Sequence, residues 1–259
     1  MTDLLQYLEE ALYLLPGIII ALTIHEFCHA WVSDRLGDPL PKATGRLSLN
    51  PARHIDLFGF IMLFLVRFGW AKPVIVDPRY YKHKKLDMSL VAMAGPVSNL
   101  ILAFLMTGLA MVTAGVYNNA VAEYGVPDIM PYTIVYSVDG MASWLKVMVV
   151  VYRLLVTGVA LNLGLALFNL IPISPLDGSK VLAAFLPLKA YNKVLRYERY
   201  GFLVLLLLLL NIPGRLLNIV GVSSAVTQYL DLSFYLNIAR EFLWELFRDA
   251  FRPLLQLFL

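Results

Sequence analysis

The chain has 259 residues, of which 59% are hydrophobic and only 15% charged, with a formal net charge of +3 at pH 7. Soluble domains are nearer half apolar and a quarter charged, so this balance excludes an ordinary soluble protein and describes an integral membrane chain. The charge is too small to suggest a nucleic-acid surface, and the single cysteine, Cys28, excludes an internal disulfide.

In chain order, the N-terminal stretch carries Asp3, Glu9 and Glu10 and no basic residue. That is the reverse of the positive start of a cleavable signal, so the apolar segment that follows is expected to be retained. This segment, residues 11–32, is long enough to cross a bilayer. It is interrupted only by Thr23 and by a cluster at its inner end, His25-Glu26-Phe27-Cys28-His29. On a helix, positions i and i+4 project from one face, so both imidazoles can grip one ion. Glu26 is placed to hold a water at that ion rather than the ion itself. Ionisable groups at membrane depth cost about 2.5–3.5 kcal/mol each on insertion scales, so they rarely stand there without a partner or a task. Cys28 points away from the paired face and reads as a small buried hydrophobe.

Residues 57–66 are apolar but too short to cross, and read as a re-entrant or interfacial element. Residues 70–76, Trp-Ala-Lys-Pro-Val-Ile-Val, combine β-favouring side chains with a proline and predict a short edge strand or hairpin. Beside a metal, the unpaired backbone of such a strand would accept an extended peptide by strand addition. Residues 89–116 contain no charge and form the clearest transmembrane helix. Residues 147–173 make a third span, with Arg153 near the outer end where it can snorkel. A fourth, residues 201–222, is disturbed by Asn211-Ile212-Pro213-Gly214, which should kink or split it. Residues 234–259 are amphipathic, with Phe242, Leu243, Leu246, Phe247 and Phe251 on one side and Glu241, Glu245 and Arg252 on the other. That pattern suits a helix lying on the membrane surface or against the bundle, with partner binding as the alternative.

Lysine and arginine set the orientation. Ten lie in residues 35–85 and five in residues 180–199, whereas residues 117–145 have none and carry Glu123, Asp128 and Asp139. The positive-inside rule puts the basic segments in the cytosol and the N-terminus outside. The expected fold is therefore an all-α polytopic membrane protein. It has about four full transmembrane helices, a re-entrant segment, a short β-hairpin or edge strand and a C-terminal amphipathic helix. Residues 1–222 form the core and residues 223–259 the C-terminal helical region.

A hydrolytic zinc site takes three protein ligands and leaves one position open. The candidate third ligand is Asp177, in Asn169-Leu-Ile-Pro172-Ile-Ser-Pro175-Leu176-Asp177-Gly178, at the same membrane level as His25 and His29. Prolines break the helix there, so side chains can turn inward around a cavity. By spacing alone, however, an Asp-Gly pair is more often an ordinary turn. His54 and Asp56 are rivals, with His54 readable as a residue beside the substrate or as a plain interfacial histidine. His83, among Lys82, Lys84 and Lys85, reads as solvated.

Taken in order, five motifs resemble those of the site-2 proteases, which are intramembrane zinc metalloproteases. They are His25-Glu26-Phe27-Cys28-His29, Gly45-Arg46-Leu47-Ser48-Leu49-Asn50-Pro51 with His54, Gly69-Trp70-Ala71-Lys72-Pro73-Val74, Ala94-Gly95-Pro96-Val97-Ser98-Asn99, and residues 169–178. The likeness covers residues 15–200 and is nearest the compact prokaryotic branch without PDZ or CBS domains. It implies one Zn2+ per chain held by His25, His29 and Asp177, with Glu26 as general base and acid. It also places Asn169 and Asn99 near the substrate backbone or the developing oxyanion. The implied activity is hydrolysis of peptide bonds of transmembrane proteins within or near the bilayer, in a prokaryotic cell membrane, with the site towards the cytosol. Implied partners are a transmembrane protein substrate and the lipid bilayer, not nucleic acid, and a homodimer is left open. Two rivals are a catalytically silent membrane adaptor, which would have lost Glu26 or a ligand, and a di-iron desaturase, for which four histidines are too few.

Overall fold

The computed structural model describes residues 2–66, 69–122 and 142–255. In chain order these form α1 (Thr2–Arg35), the single turn α2 (Leu40–Ala43), α3 (Leu57–Val66), α4 (Lys84–Ala122) and α5 (Ser143–Asn169). There follow α6 (Asp177–Phe185), α7 (Leu188–Leu209), α8 (Ile212–Ile219), α9 (Ser224–Thr227) and α10 (Leu232–Leu255). Three of these, α1 from Glu9, α4 and α5, are long and apolar enough to cross a membrane. The fourth apolar stretch is a bent pair, with α7 from Tyr200 meeting α8 at 53°. The acidic connection expected outside lies mostly beyond the described residues.

The bend has a local cause. Asn211 adopts a left-handed backbone with φ of +48°, which asparagine tolerates better than most residues. Its side chain accepts the Gly214 N–H and so caps the first turn of α8. Pro213, within that turn, has no N–H to lose.

The core is the packing of α1, α4 and α5, and it depends on small residues. A Cβ on Gly17 of α1 would fall 2.7 Å from a Leu161 methyl, and one on Gly158 of α5 would fall 2.7 Å from the Met106 sulfur. Hydrocarbon offers no hydrophobic drive between helices, so close backbone approach supplies the contact instead. Towards the C-terminal end of α4, Ala114, Tyr117 and Val121 bury against Leu145 and Val149 of α5. Beside them Arg153 pairs with Glu9 at 2.6 Å and lies over the Tyr13 ring.

The C-terminal helix takes the second of its two expected positions. Leu243, Trp244 and Phe247 pack on the buried cluster of Ala103, Val159 and Leu163. The Phe251 ring abuts Gly108, where a Cβ would approach it to 2.8 Å. Phe242 and Leu246, grouped by the sequence with the packed side, instead face outward.

The expected β-hairpin is absent among the described residues. Its place is taken by an extended segment, residues 69–77, joined to the chain before α3 by a single antiparallel bridge between Ile55 and Ala71. The physical reason lies in where its donors go. The Lys72 N–H reaches the His54 carbonyl at 2.8 Å, the Val74 N–H reaches Glu26 at 3.0 Å and the Asp77 N–H reaches Asp38 at 2.8 Å. Pro73 has no N–H at all. Two side chains near α1 thus bind what a second strand would have bound.

Candidate active site

His25 and His29 share one face of α1, as their spacing requires. Asp177 arrives from the far side because the loop after α5 is clamped into a tight path. A Cβ on Gly178 would fall 2.2 Å from the Leu170 carbonyl oxygen, and one on Gly201 of α7 would fall 2.2 Å from that of Ser174. Glycines at both positions let α6 and α7 close on the loop, which brings the first residue of α6 against α1.

The three side chains are buried and meet as a triangle. The two Nε2 atoms are 3.1 Å apart, and Asp177 Oδ2 lies 3.3 Å from His25 Nε2 and 3.1 Å from His29 Nε2. Both Nδ1 atoms are committed, His25 to Asn99 Oδ1 at 2.6 Å and His29 to the Val91 carbonyl at 2.7 Å. With protons on Nδ1, the neutral rings turn two Nε2 lone pairs towards each other and towards a carboxylate. Such an arrangement calls for a positive centre. Tetrahedral zinc with bonds of about 2.0–2.1 Å separates its ligand atoms by roughly 3.3 Å, which these edges match. His25, His29 and Asp177 are also the one group among the described residues whose donor atoms gather closely enough to hold an ion. A fourth wall completes the cradle: a Cβ on Gly95 of α4 would fall 2.4 Å from His29 Nε2 and 2.6 Å from His25 Nε2.

These groups open onto a cavity of about 900 Å³. Its walls are Ile18, Leu22 and Glu26 of α1, Val91 and Ala92 of α4, Leu161, Leu165 and Asn169 of α5, and Phe202, Leu205 and Leu209 of α7. The extended segment contributes Trp70, Ala71, Pro73, Val74 and Val76 to the same cavity. Glu26 lines it with 9% of its surface exposed, held by the Val74 N–H. Lys180, one turn into α6, reaches the other oxygen of Asp177 at 3.2 Å.

The remaining sequence candidates divide. Asn169 lines the cavity, its side-chain N–H donating to the Leu165 carbonyl at 3.0 Å. Asn99 is fully buried and does not line the cavity; its side-chain oxygen is taken by the His25 imidazole. His54 does not line the cavity. It is fully buried, with Nε2 2.6 Å from the Ser48 carbonyl, so its side chain closes the loop of residues 48–54, while its backbone carbonyl accepts the Lys72 N–H of the extended segment. Asp56 caps α3 through the Gly59 N–H at 2.8 Å. Cys28 is half-buried.

Sequence reasoning missed Asn162 and Asp38. Asn162 continues the polar line from His25 through Asn99, accepting the Asn99 amide at 2.7 Å and donating to the Gly158 carbonyl at 2.8 Å. An amide in the middle of an apolar span was the available signal, since such groups bond across helices. Asp38, fully buried, accepts from Ser33 and from the Leu40 and Asp77 N–H groups.

The model for Peptidase family M50 matches residues 13–211. A Bacillus subtilis protein named "Putative zinc metalloprotease YwhC" is 34% identical over 243 residues, covering 94% of both chains. A Mycolicibacterium smegmatis protein named "Putative zinc metalloprotease Rip2" is 26% identical over 212 residues, covering 80% of this chain and 70% of its own. No solved structure matches significantly. With a family model spanning most of its length and a relative this similar end to end, the chain belongs to peptidase family M50, the site-2 protease family.

Proposed function

We propose that the chain is an intramembrane zinc metalloendopeptidase that hydrolyses peptide bonds of transmembrane protein substrates within or near the bilayer. The observation that carries this is the triangle of two Nε2 atoms and one carboxylate oxygen, with Glu26 on the wall of the same cavity. His25, His29 and Asp177 would hold one zinc per chain. Zinc bound there supplies Lewis acidity, polarising a carbonyl and making a nearby water a nucleophile at neutral pH.

The protein's own groups do the rest. Glu26 takes the proton from the attacking water and passes it to the departing amine. The Val74 N–H fixes that carboxylate, so the base is already oriented. Asn169 supplies a side-chain N–H on the cavity wall for the developing oxyanion, and loss of one such donor typically costs about 3–4 kcal/mol. A substrate helix hides its carbonyls in its own hydrogen bonds and has to unwind before attack. The extended segment, bridged among the described residues at Ile55 alone, offers backbone groups to an unwound stretch, which supports strand-like docking. The apolar wall from Ile18 to Leu209 suits side chains arriving from lipid.

The distribution of lysine and arginine supports four crossings, an outside N-terminus and a site facing the cytosol of a prokaryotic cell. The test compares membrane proteomes of cells carrying the native chain and the Glu26→Gln variant. A single-span protein whose shortened product depends on Glu26, with one zinc per chain in both forms, is the expected result. Full biological activity in the variant would exclude proteolysis as the function.

A further inference from the structure

We infer that Lys180 is a positioning residue that confines Asp177 to coordination through one oxygen, and so keeps a site open for the attacking water. This rests on the proposed zinc site. A carboxylate beside a divalent ion can bind through one oxygen or both, and binding through both fills a position that a hydrolytic site needs for water. The two oxygens of Asp177 have separate partners here. Oδ2 faces both imidazoles at 3.1 and 3.3 Å, whereas Oδ1 is taken by the Lys180 ammonium at 3.2 Å.

The placement is built into the fold. Asp177 and Lys180 stand at i and i+3 in the first turn of α6, so they share a face. That turn cannot slide, because Gly178 lies against the Leu170 carbonyl and the Ser179 hydroxyl donates to the Leu176 carbonyl at 2.7 Å. The lysine side chain is 42% exposed, against 9% for that of Asp177, and it lines the cavity. It therefore approaches the carboxylate from the open side, where the second oxygen would otherwise be free to swing towards an ion. An ammonium in this position also offsets the charge of Asp177 and Glu26 in a cavity wall that is otherwise mainly apolar.

The test uses the full-length chain in detergent, loaded with zinc, as wild type, Lys180→Met and Lys180→Arg. Zinc content, zinc-edge X-ray absorption and cleavage of a transmembrane substrate peptide are measured on each. Lys180→Met keeps the length of the side chain and loses the charge. It is expected to retain one zinc, to show a higher coordination number in the absorption spectrum, and to lose about 10- to 100-fold in kcat with KM within about 2-fold, as disturbing a partner of a metal ligand typically does. Lys180→Arg should restore the wild-type spectrum and most of kcat. An unchanged spectrum in Lys180→Met overturns the inference, as does a raised KM at constant kcat, which would make Lys180 a substrate contact. A wild-type chain that binds no zinc would instead remove the proposed site itself.

Discussion

Asn99 on α4 and His25 on α1 are joined by a 2.6 Å hydrogen bond whose direction is set two residues away. The Asn99 amide donates to the Ala21 carbonyl and to Asn162, and Asn162 in turn donates to the Gly158 carbonyl. Two backbone carbonyls can only accept, so Asn99 must offer its oxygen to the imidazole. His25 therefore carries its proton on Nδ1 and keeps Nε2 free for an ion. Groups behind a metal ligand typically contribute 10- to 100-fold in metal affinity, so Asn99→Ala should weaken zinc binding by about that factor. Competition against a chelator of known affinity measures it. Asn162→Ala should give a smaller loss in the same direction, because Asn99 keeps the Ala21 carbonyl as an anchor.

Gly95 provides a sharper test of the ion's position. A Cβ there would stand 2.4 Å and 2.6 Å from the two Nε2 atoms, inside the space an ion would occupy. Gly95→Ala should abolish zinc binding while leaving helix content unchanged by circular dichroism. Gly164→Ala is the control, since it also lines the cavity and its added Cβ meets nothing within 4 Å. Within a helix that substitution removes a penalty of up to about 1 kcal/mol, so stability should hold or rise while zinc content stays at the wild-type value.

What the sequence made legible was what a single helix or a composition can encode. The pairing of His25 with His29 follows from helical spacing, and the break near Asn211 from a proline and a glycine in an apolar run. The hairpin failed because its donors were claimed by Glu26 and Asp38, tertiary partners that a local β pattern cannot announce. Asn99, expected near the substrate, instead bonds His25 and lies off the cavity wall for a related reason. A polar residue in a span signals a bond across helices, but the sequence does not say which helix or which atom. Phe242 and Leu246 were grouped with the packed face of α10 because a helical wheel carries no information about where the neighbouring helices stop.

Asp38 links the extended segment to the end of α1. Its carboxylate accepts the Asp77 N–H at 2.8 Å, the Ser33 hydroxyl at 2.9 Å and the Leu40 N–H at 3.0 Å, all with no exposed surface of its own. Asp38→Ala would strand these donors, and each buried unsatisfied group costs about 1–3 kcal/mol. The expected outcome is a lower melting temperature together with a several-fold rise in KM for a peptide substrate, since the segment lines the cavity. Zinc stoichiometry should not change, because no ligand touches Asp38. Equal KM in variant and wild type would separate the segment from substrate binding.

The break between α7 and α8 fixes where the cavity wall ends. Phe202, Leu205 and Leu209 of α7 face the cavity, and the chain turns by 53° immediately after them. Asn211 holds that turn with a left-handed backbone and a side chain that caps Gly214. A β-branched residue there meets two penalties, about 1–2 kcal/mol for the left-handed conformation and about 1 kcal/mol for the lost cap. Asn211→Val should therefore lower stability by about 2–3 kcal/mol in a detergent-based thermal or denaturant titration, whereas Asn211→Gly, free of the backbone penalty, should lose only a few tenths. If Asn211→Val instead relieves the bend by straightening α7 into α8, the wall moves relative to Asp177 and cleavage falls with zinc content unchanged. Parallel measurement of unfolding, zinc and cleavage in both variants separates a destabilised break from a displaced wall.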